Sequence, residues 1–287
     1  MEKLYSEQKK KQRNTEGRAD IIKKVFSVFI FLALLLYPSF FLIFAILSNC
    51  SPTDINLDRV LLPPSIDFIL GTNELGQDLS CMIGYGVITS LKIAFASTLI
   101  SFALGGILGI TSGYMGGIYD FIISRIMEFF QGFPSLIFVI FIISIFGGGD
   151  DKIIMSLSIF GWVSFGRIAR NESLKIKNLD FVKSAQIVGL PKMRIIFKYI
   201  FPYVLPSLLT QSIFSFSAFI LAEGGLGFLG LRPADKISLG SIISDGVDFI
   251  LTEPRLVIFP GICLTCLAVI SNILGQMMIS KQKGLPE

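Results

Sequence analysis

Long stretches without a charged residue limit what this chain can fold into more than any other feature. The first of them, residues 25–48, contains no Asp, Glu, Lys or Arg. A helix that crosses a bilayer needs roughly 20 apolar residues, so this stretch is long enough. It is too long for the apolar core of a signal peptide, which covers about 7–15 residues. With 52% hydrophobic and 16% charged residues, the whole chain is too apolar for a soluble domain.

Five further apolar stretches follow the first. They are residues 93–112, 121–147, 152–166, 199–222 and 256–280. Taken as helices, the six stretches predict an all-α membrane protein with six transmembrane helices.

The unequal distribution of charge predicts the orientation of these helices. Residues 1–24 carry eight Lys or Arg residues, and residues 167–198 carry another eight. Residues 49–86 carry five acids and a single basic residue, Arg59. Because positively charged loops stay in the cytoplasm, both termini are predicted to be cytoplasmic. The same rule explains the basic tail beside an apolar span more simply than binding to nucleic acid does.

These patterns predict an organisation in four parts. A cytoplasmic tail covers residues 1–24, and the first transmembrane helix covers residues 25–48. An extracytoplasmic segment follows at 49–87. A five-helix core then covers residues 88–287 and contains a cytoplasmic loop at 168–198.

The long loop between spans four and five contains many polar residues and has clear signals for the start and end of helices. Asp180 is predicted to be a helix N-cap. Three apolar residues spaced four and three apart are predicted to share one face of this short helix: Phe181, Ala185 and Val188. Gly189 can take the left-handed conformation that ends a helix, and Pro191 can open the next one. The sequence therefore predicts a short helix followed by a rigid corner.

A second helix is predicted to run from this corner into span five. Four apolar residues are predicted to lie on one of its sides: Met193, Ile196, Phe197 and Ile200. Three basic residues lie among the others: Lys192, Arg194 and Lys198. A short amphipathic helix on the basic side of a membrane protein is suited to docking into a groove of another protein.

The spacing of Ala185, Gly189 and the pair Phe201-Pro202 resembles the cytoplasmic "EAA" loop of ABC-importer permeases. That resemblance implies that the first helix docks on an ATPase subunit. It assigns this coupling role to Asp180, Phe181, Lys183, Ser184, Ala185, Gly189 and Pro191.

The loop departs from the family pattern at its first two positions. Lys183 and Ser184 stand where the family pattern has Glu and Ala. With Asp180 as N-cap, a lysine at position 183 opposes the helix dipole at a cost of about 0.3–1 kcal/mol. The departure affects any ion pair that the glutamate would make.

Two external segments carry the resemblance further. Residues 71–78 read Gly-Thr-Asn-Glu-Leu-Gly-Gln-Asp, and residues 223–246 form a glycine-rich segment. Both are similar to segments of the oligopeptide, dipeptide and nickel permeases, and the short external loop resembles that of their C-type subunit. From the residues alone, 71–78 is a capped turn, and 223–246 is a backbone that can re-enter a water-lined cavity.

The resemblance implies a type I ABC-importer permease and an alternating-access mechanism. The expected partners are a second permease in a heterodimer, two cytoplasmic ATPases, an extracytoplasmic solute-binding protein and membrane lipid. ATP and Mg are expected on the ATPases and no cofactor in this chain, which is therefore not expected to be an enzyme. The expected location is the bacterial inner membrane. The expected cargo is a dipeptide or oligopeptide, with nickel or glutathione-like solutes as family alternatives.

Four residues are candidates for lining the translocation pathway. Gln131 and Pro134 lie where span three is predicted to kink, because proline removes a backbone hydrogen bond. A kink that serves only packing explains the same residues. Gln211 and Ser215 are the candidates in span five. Arg125 and Glu128, one helical turn apart, are predicted to pair near the cytoplasmic end of span three.

Two other classes of function fit the residues less well. A secondary transporter driven by an ion gradient usually has ionisable residues in mid-membrane, and none lies in spans one, five or six as delimited above. An intramembrane enzyme needs a general base or a metal site, and the chain contains no histidine. Cys263 and Cys266 are interpreted as packing residues of span six. Whether Cys50 pairs with Cys81 is left open, since neither spacing nor number requires it.

Overall fold

The structure, a computed structural model, describes residues 32–48, 50–233 and 236–282. Within these residues the regular elements are helices, and the only β-type pairing is an isolated bridge between Thr72 and Asp78. The all-α prediction is therefore confirmed. The basic tail at 1–24 and the first seven residues of the span at 25–48 lie outside the described residues.

Ten α-helices follow one another along the described chain. They are α1 (Leu32–Leu47), α2 (Leu79–Met115), α3 (Gly117–Gln131), α4 (Ser135–Phe146), α5 (Asp150–Ile176), α6 (Asp180–Ile187), α7 (Lys192–Ile195), α8 (Phe201–Phe228), α9 (Leu239–Val247) and α10 (Arg255–Gln282). A short 3₁₀ turn lies at Leu57–Arg59, and a π-helical segment, Ile196–Ile200, joins α7 to α8 without a break.

Four helices of the described chain are long and apolar enough to cross a membrane. They are α2, α5, the continuous helix Lys192–Phe228 and α10. The pair α3 and α4 gives a fifth if it counts as one span, and α1 is apolar but shorter. The chain is therefore a multi-pass membrane protein, and six crossings with two cytoplasmic termini remain a prediction.

Span three bends at residues 132–134, where the sequence predicts that the helix loosens or kinks, but two helices replace the single one expected over 121–147. The axes of α3 and α4 meet at 85° across the break at residues 132–134. Pro134 has extended backbone angles and cannot donate a backbone hydrogen bond, so the helix cannot continue through it. The predicted ion pair of α3 is confirmed, since Arg125 lies 2.6 Å from Glu128.

Three helices are longer than the apolar stretches that predict them. Helix α5 continues ten residues beyond the span at 152–166, because Ser173 and Ile176 are buried against neighbouring helices. Helix α8 continues to Phe228, so Glu223 lies inside a helix and not in an external loop as predicted. Helix α2 begins at Leu79, within the segment 49–87 that we predict to be extracytoplasmic.

Small residues bring α2 and α5 into the most extensive helix contact of the described chain. Three glycines of α2 face the α5 backbone: Gly105, Gly109 and Gly113. A Cβ atom at any of them would lie within 3.0 Å of a carbonyl oxygen of α5. These positions therefore accept no side chain, as expected where transmembrane helices approach closely.

The segment before α2 is folded back on the helix bundle. A disulfide joins Cys50 to Cys81 in the first turn of α2 and settles the pairing that the sequence leaves open. Its sequence separation of 31 residues restricts the unfolded chain strongly. Since disulfides persist in oxidising compartments, the bond agrees with the predicted extracytoplasmic location.

The predicted capped turn at residues 71–78 is present. The side-chain oxygen of Asn73 accepts hydrogen bonds from the backbone N–H groups of Leu75 (3.0 Å) and Gln77 (2.8 Å). Asp78 then caps α2 by accepting from the N–H of Ser80 at 2.9 Å. Burial raises the pKa of the Asp78 carboxyl. Arg255, at the start of α10, donates to the carbonyl of Leu70 at 3.0 Å, so the turn is fixed to the last helix.

Candidate functional site

Helix α6 begins one residue earlier than its sequence predicts. Its N-cap is Leu179, and no side chain caps the helix, so the prediction that Asp180 is the N-cap is wrong. Asp180 instead occupies the first helical position. Its negative charge in the first turn still compensates the helix dipole.

The face that α6 buries differs from the predicted one. Val182 and Ala185 are buried, whereas Val188 is 77% exposed. Phe181 is half-buried and stacks on Tyr203, with ring centroids 5.2 Å apart. The predicted face of Phe181, Ala185 and Val188 is wrong at its last member, because α6 ends at Ile187 and Val188 belongs to the corner.

The buried face of α6 belongs to one apolar cluster with four other helical segments. We call it the cytoplasmic cluster, after the side of the membrane on which the sequence predicts it; it consists of Ile110, Tyr114, Phe165, Ala169, Ile176, Val182, Ala185, Ile195, Ile196, Ile200, Val204 and Leu208. Its members come from α2, α5, α6, the segment 192–200 and α8. Helix α6 is therefore packed against the bundle on one side.

The corner after α6 has the predicted backbone geometry. Gly189 has a φ of +81°, and the N–H of Leu190 donates to the carbonyl of Ala185 at 3.1 Å. This is the bond that closes a helix with a glycine in the left-handed conformation. Pro191 precedes α7 with a φ of −63°, and its carbonyl accepts from the N–H of Ile195 at 3.2 Å. Two short hydrogen-bonded elements thus fix the angle between α6 and α7.

The second helix also buries a different side from the predicted one. Ile195, Ile196 and Ile200 are buried, while Met193 and Phe197 are 54% and 64% exposed. Grouping Met193 and Phe197 with Ile196 and Ile200 is therefore wrong. Residues 196–200 wind as a π-helix, which shifts the register of the side chains after Ile195 from the α-helical one.

Several large apolar side chains on either side of the corner are exposed. We call them the corner patch; they are Ile187, Val188, Met193 and Phe197. Lys183 and Ser184 lie on the exposed side of α6 as well. The segment 180–197 thus has one side held in the cytoplasmic cluster and another that presents apolar and basic side chains. Exposed apolar patches rimmed by polar residues are typical of protein interaction sites.

The four pathway candidates form two separate pairs in the structure. Gln131, at the end of α3, accepts a hydrogen bond from Arg167 of α5, and Pro134 opens α4. Gln211 donates to Ser215 one turn further along α8, at 3.0 Å. No hydrogen bond within the described chain joins one pair to the other. Their role in the pathway remains a prediction.

A buried charge network at the other end of the bundle was missed by sequence reasoning. Glu223 of α8 is fully buried and accepts from Arg232 at 2.7 Å and from Ser90 of α2 at 2.5 Å. Arg232, with a side chain only 1% exposed, also donates to Asp150 of α5 at 2.6 Å. The only sequence signal was Glu223, a charge that directly follows a long apolar run.

This charge network ties three helices to the loop after α8. Glu223 belongs to α8, Ser90 to α2 and Asp150 to α5, while Arg232 lies in the loop. The Nε atom of Arg232 is buried and has no hydrogen-bond partner among the described residues. The network fixes where this loop leaves the bundle.

Comparisons with known proteins agree with this architecture. A family model described as "Binding-protein-dependent transport system inner membrane component" matches residues 105–283. The dipeptide transport system permease protein DppC of Bacillus subtilis is 37% identical over 218 residues, covering 75% of this chain and 68% of that protein. The oligopeptide transport system permease protein OppC of Haemophilus influenzae is 31% identical over 269 residues, covering 93% and 84%.

A solved structure has a similar fold. It is an inward-facing conformation of the MetNI methionine ABC transporter, with a TM-score of 0.56 and 20% sequence identity. The match covers 70% of this chain and 95% of that one. At this identity, the likeness shows that the two chains share a fold.

Proposed function

The chain belongs to the family of binding-protein-dependent transport system inner membrane components, and we propose that it is a permease subunit of an ATP-driven importer of dipeptides or oligopeptides. The observation that carries this proposal is the two-sided segment 180–197. One of its sides is packed into the bundle through Val182 and Ala185, and the other presents the corner patch.

In the proposed importer, partner subunits bind ATP, complete the pathway and deliver the peptide. Two cytoplasmic ATPase subunits bind ATP and Mg, a second permease completes the pathway, and an extracytoplasmic binding protein delivers the peptide. The assembly lies in the bacterial inner membrane. The relatives' names support the peptide cargo, since they are described as dipeptide and oligopeptide permeases.

The corner patch is the surface that contacts one ATPase subunit. A docked helix of this kind inserts its apolar residues into a groove of the partner. The basic residues around the patch, Lys183, Lys192 and Arg194, are exposed and suit an acidic groove rim. Electrostatic complementarity of this type sets specificity and association rate more than affinity.

Movement of the ATPase reaches the membrane through the cytoplasmic cluster. Helix α6 shares this cluster with α2, α5 and α8, so a displacement of α6 moves these helices with it. Phe181 on Tyr203 adds a direct contact between α6 and the first turn of α8. Switching the pathway from mostly inward-facing to mostly outward-facing needs about 5.5 kcal/mol of differential binding. Because the angle between α6 and α7 is fixed, the corner transmits this movement of the ATPase to the helix bundle.

Cysteine cross-linking tests whether the corner patch contacts the ATPase. We expect Val188→Cys, in the complex assembled with its co-expressed ATPases and labelled with a thiol-reactive benzophenone, to form a photo-induced cross-link to an ATPase subunit, since this reagent inserts into C–H bonds and needs no cysteine on the partner. The parent chain provides a low background, because Cys50 and Cys81 are disulfide-bonded and Cys263 and Cys266 are buried. Ile66→Cys is the matched control, since Ile66 is fully exposed on the predicted extracytoplasmic side. Equal cross-linking from both positions, or none from Val188→Cys, contradicts the proposal.

A further inference from the structure

A cavity of about 640 Å³ opens beside the 71–78 turn, the end of α8 and helix α9. Sites for small ligands typically measure about 300–1,000 Å³, so the space suits a molecule of that size. Its polar lining includes Glu74, Gln77, Arg232, Lys236, Ser241 and Asp245. Apolar walls come from Leu75, Met82 and Ile237. The cavity therefore presents both signs of charge together with apolar surface.

The acidic residues of the cavity lining, Glu74 and Asp245, have no cationic partner among the residues that the structure describes. No ion pair within the described chain includes Glu74 or Asp245. Burial raises the pKa of the Glu74 carboxyl, and the charges of Asp245 and Asp248 raise it further. Burial and the charge of Asp248 likewise raise the pKa of Asp245. A cation placed between these carboxylates relieves both effects.

The basic lining contains a charged donor group that has no hydrogen-bond partner among the described residues. Arg232 lines the cavity with a side chain that is 99% buried, and its two terminal nitrogens are held by Glu223 and Asp150. Its Nε is buried and has no hydrogen-bond partner in the described part of the chain. Leaving a buried charged donor unpaired is costly, so a ligand acceptor at this point is favoured. Lys236, which is exposed at the cavity, adds a second positive charge.

We propose that this cavity binds a free peptide by its two charged ends, with the α-ammonium group against Glu74 and Asp245 and the α-carboxylate against Arg232 and Lys236. Gln77 and Ser241 are available to hydrogen-bond the peptide bond, and the apolar walls accept the side chains. The inference rests on the proposed function and specifies the cargo as a zwitterionic peptide. It places a cargo site on this subunit in addition to any site on a binding protein.

Binding of end-modified dipeptides tests the assignment. Purified full-length chain in lipid nanodiscs is titrated with radiolabelled dialanine, N-acetyl-dialanine and dialanine amide. Because a charged hydrogen-bonded contact contributes about 1.5–3 kcal/mol, each modification should weaken binding about tenfold to a hundredfold. Glu74→Gln and Asp245→Asn should weaken dialanine binding similarly but leave N-acetyl-dialanine binding unchanged. Lys236→Met should weaken dialanine binding and leave dialanine amide unaffected.

Matched controls separate a binding role from a structural one. Asp67→Asn removes an exposed acid that does not line the cavity, so it should bind dialanine as the unmodified chain does. Folding raises the pKa of Glu74 and of Asp245, so each ionised carboxylate is less favourable in the folded chain than in the unfolded chain. Glu74→Gln and Asp245→Asn should therefore not lower the thermal unfolding temperature.

Three outcomes would overturn the inference. They are no measurable binding of dialanine to the unmodified chain, equal binding of all three dipeptides, and a Glu74→Gln variant that loses only its affinity for a binding protein. Uptake by the assembled importer is measured separately. Dialanine binding without ATP-driven uptake would contradict the proposed function but not the peptide site in this cavity. ATP-driven uptake without binding that depends on the charged ends would contradict the peptide site but not the proposed function.

Discussion

Replacing Gly189 with valine is expected to abolish peptide uptake while the protein still inserts into the membrane. Gly189 has a φ of +81°, a conformation that costs an ordinary L-residue roughly 1–2 kcal/mol and a β-branched residue more. A Cβ atom there meets nothing within 4 Å, so the effect is backbone strain alone. The corner is then expected to adopt another geometry and to shift the corner patch relative to the anchored face of α6.

Two substitutions serve as controls for this prediction. Gly189→Asn should retain most uptake, because asparagine tolerates the left-handed conformation. Gly261→Val adds the same side chain to α10 at a glycine with no neighbouring atom within 4 Å and no positive φ, so it should be neutral. Gly189→Pro should fail as Gly189→Val does, since proline cannot adopt a positive φ. Uptake at the unmodified level in Gly189→Val would refute the coupling role of this corner.

Replacing Arg232 with methionine is expected to destabilise the bundle by about 3–5 kcal/mol. The change leaves Glu223, which is fully buried, without its cationic partner, and it also removes the donor to Asp150. The free energy of unfolding in detergent, measured by denaturant titration, checks the size of the effect. Lys92→Met is the matched control, because Lys92 is 65% exposed and lies 3.4 Å from Asp150. A surface pair of that kind contributes about 0–1 kcal/mol.

A double replacement distinguishes an unpaired charge from lost packing. If the cost in Arg232→Met comes from the uncompensated Glu223 carboxylate, adding Glu223→Leu should restore most of the lost stability. If the two losses simply add, the buried pair is not coupled in the way the geometry indicates. Equal effects of Arg232→Met and Lys92→Met would likewise contradict the structural role of this network.

Local signals in the sequence predict the corner well. Gly189 followed by Pro191 indicates a helix end and a new helix, and both the positive φ and the closing hydrogen bond are present. The face of α6 is predicted less well. Phe181 and Ala185 pack as expected, but Val182 proves fully buried and Val188 exposed. An eight-residue helix has too few turns for periodicity to fix which side meets its neighbours.

Local sequence patterns do not predict contacts between residues that lie far apart along the chain. Glu223 and Asp150 meet through Arg232, and Arg232 lies 82 residues from Asp150 along the chain. The hydropathy pattern also predicts that α8 stops before Glu223, although the helix continues to Phe228. A charged residue after an apolar run is interpreted as the end of a span even when it is buried with a partner. The bend at Pro134 was predicted as a kink, but its size of 85° depends on tertiary packing that no local pattern contains.

The most direct test of the account is peptide uptake by the importer reconstituted in proteoliposomes with its ATPases and binding protein. We predict that dialanine accumulates only when the ATPases can hydrolyse ATP, and that a proton or sodium gradient without ATP drives none. We also predict that Gly189→Val abolishes this uptake. Accumulation that follows an ion gradient in the absence of ATP would contradict the account.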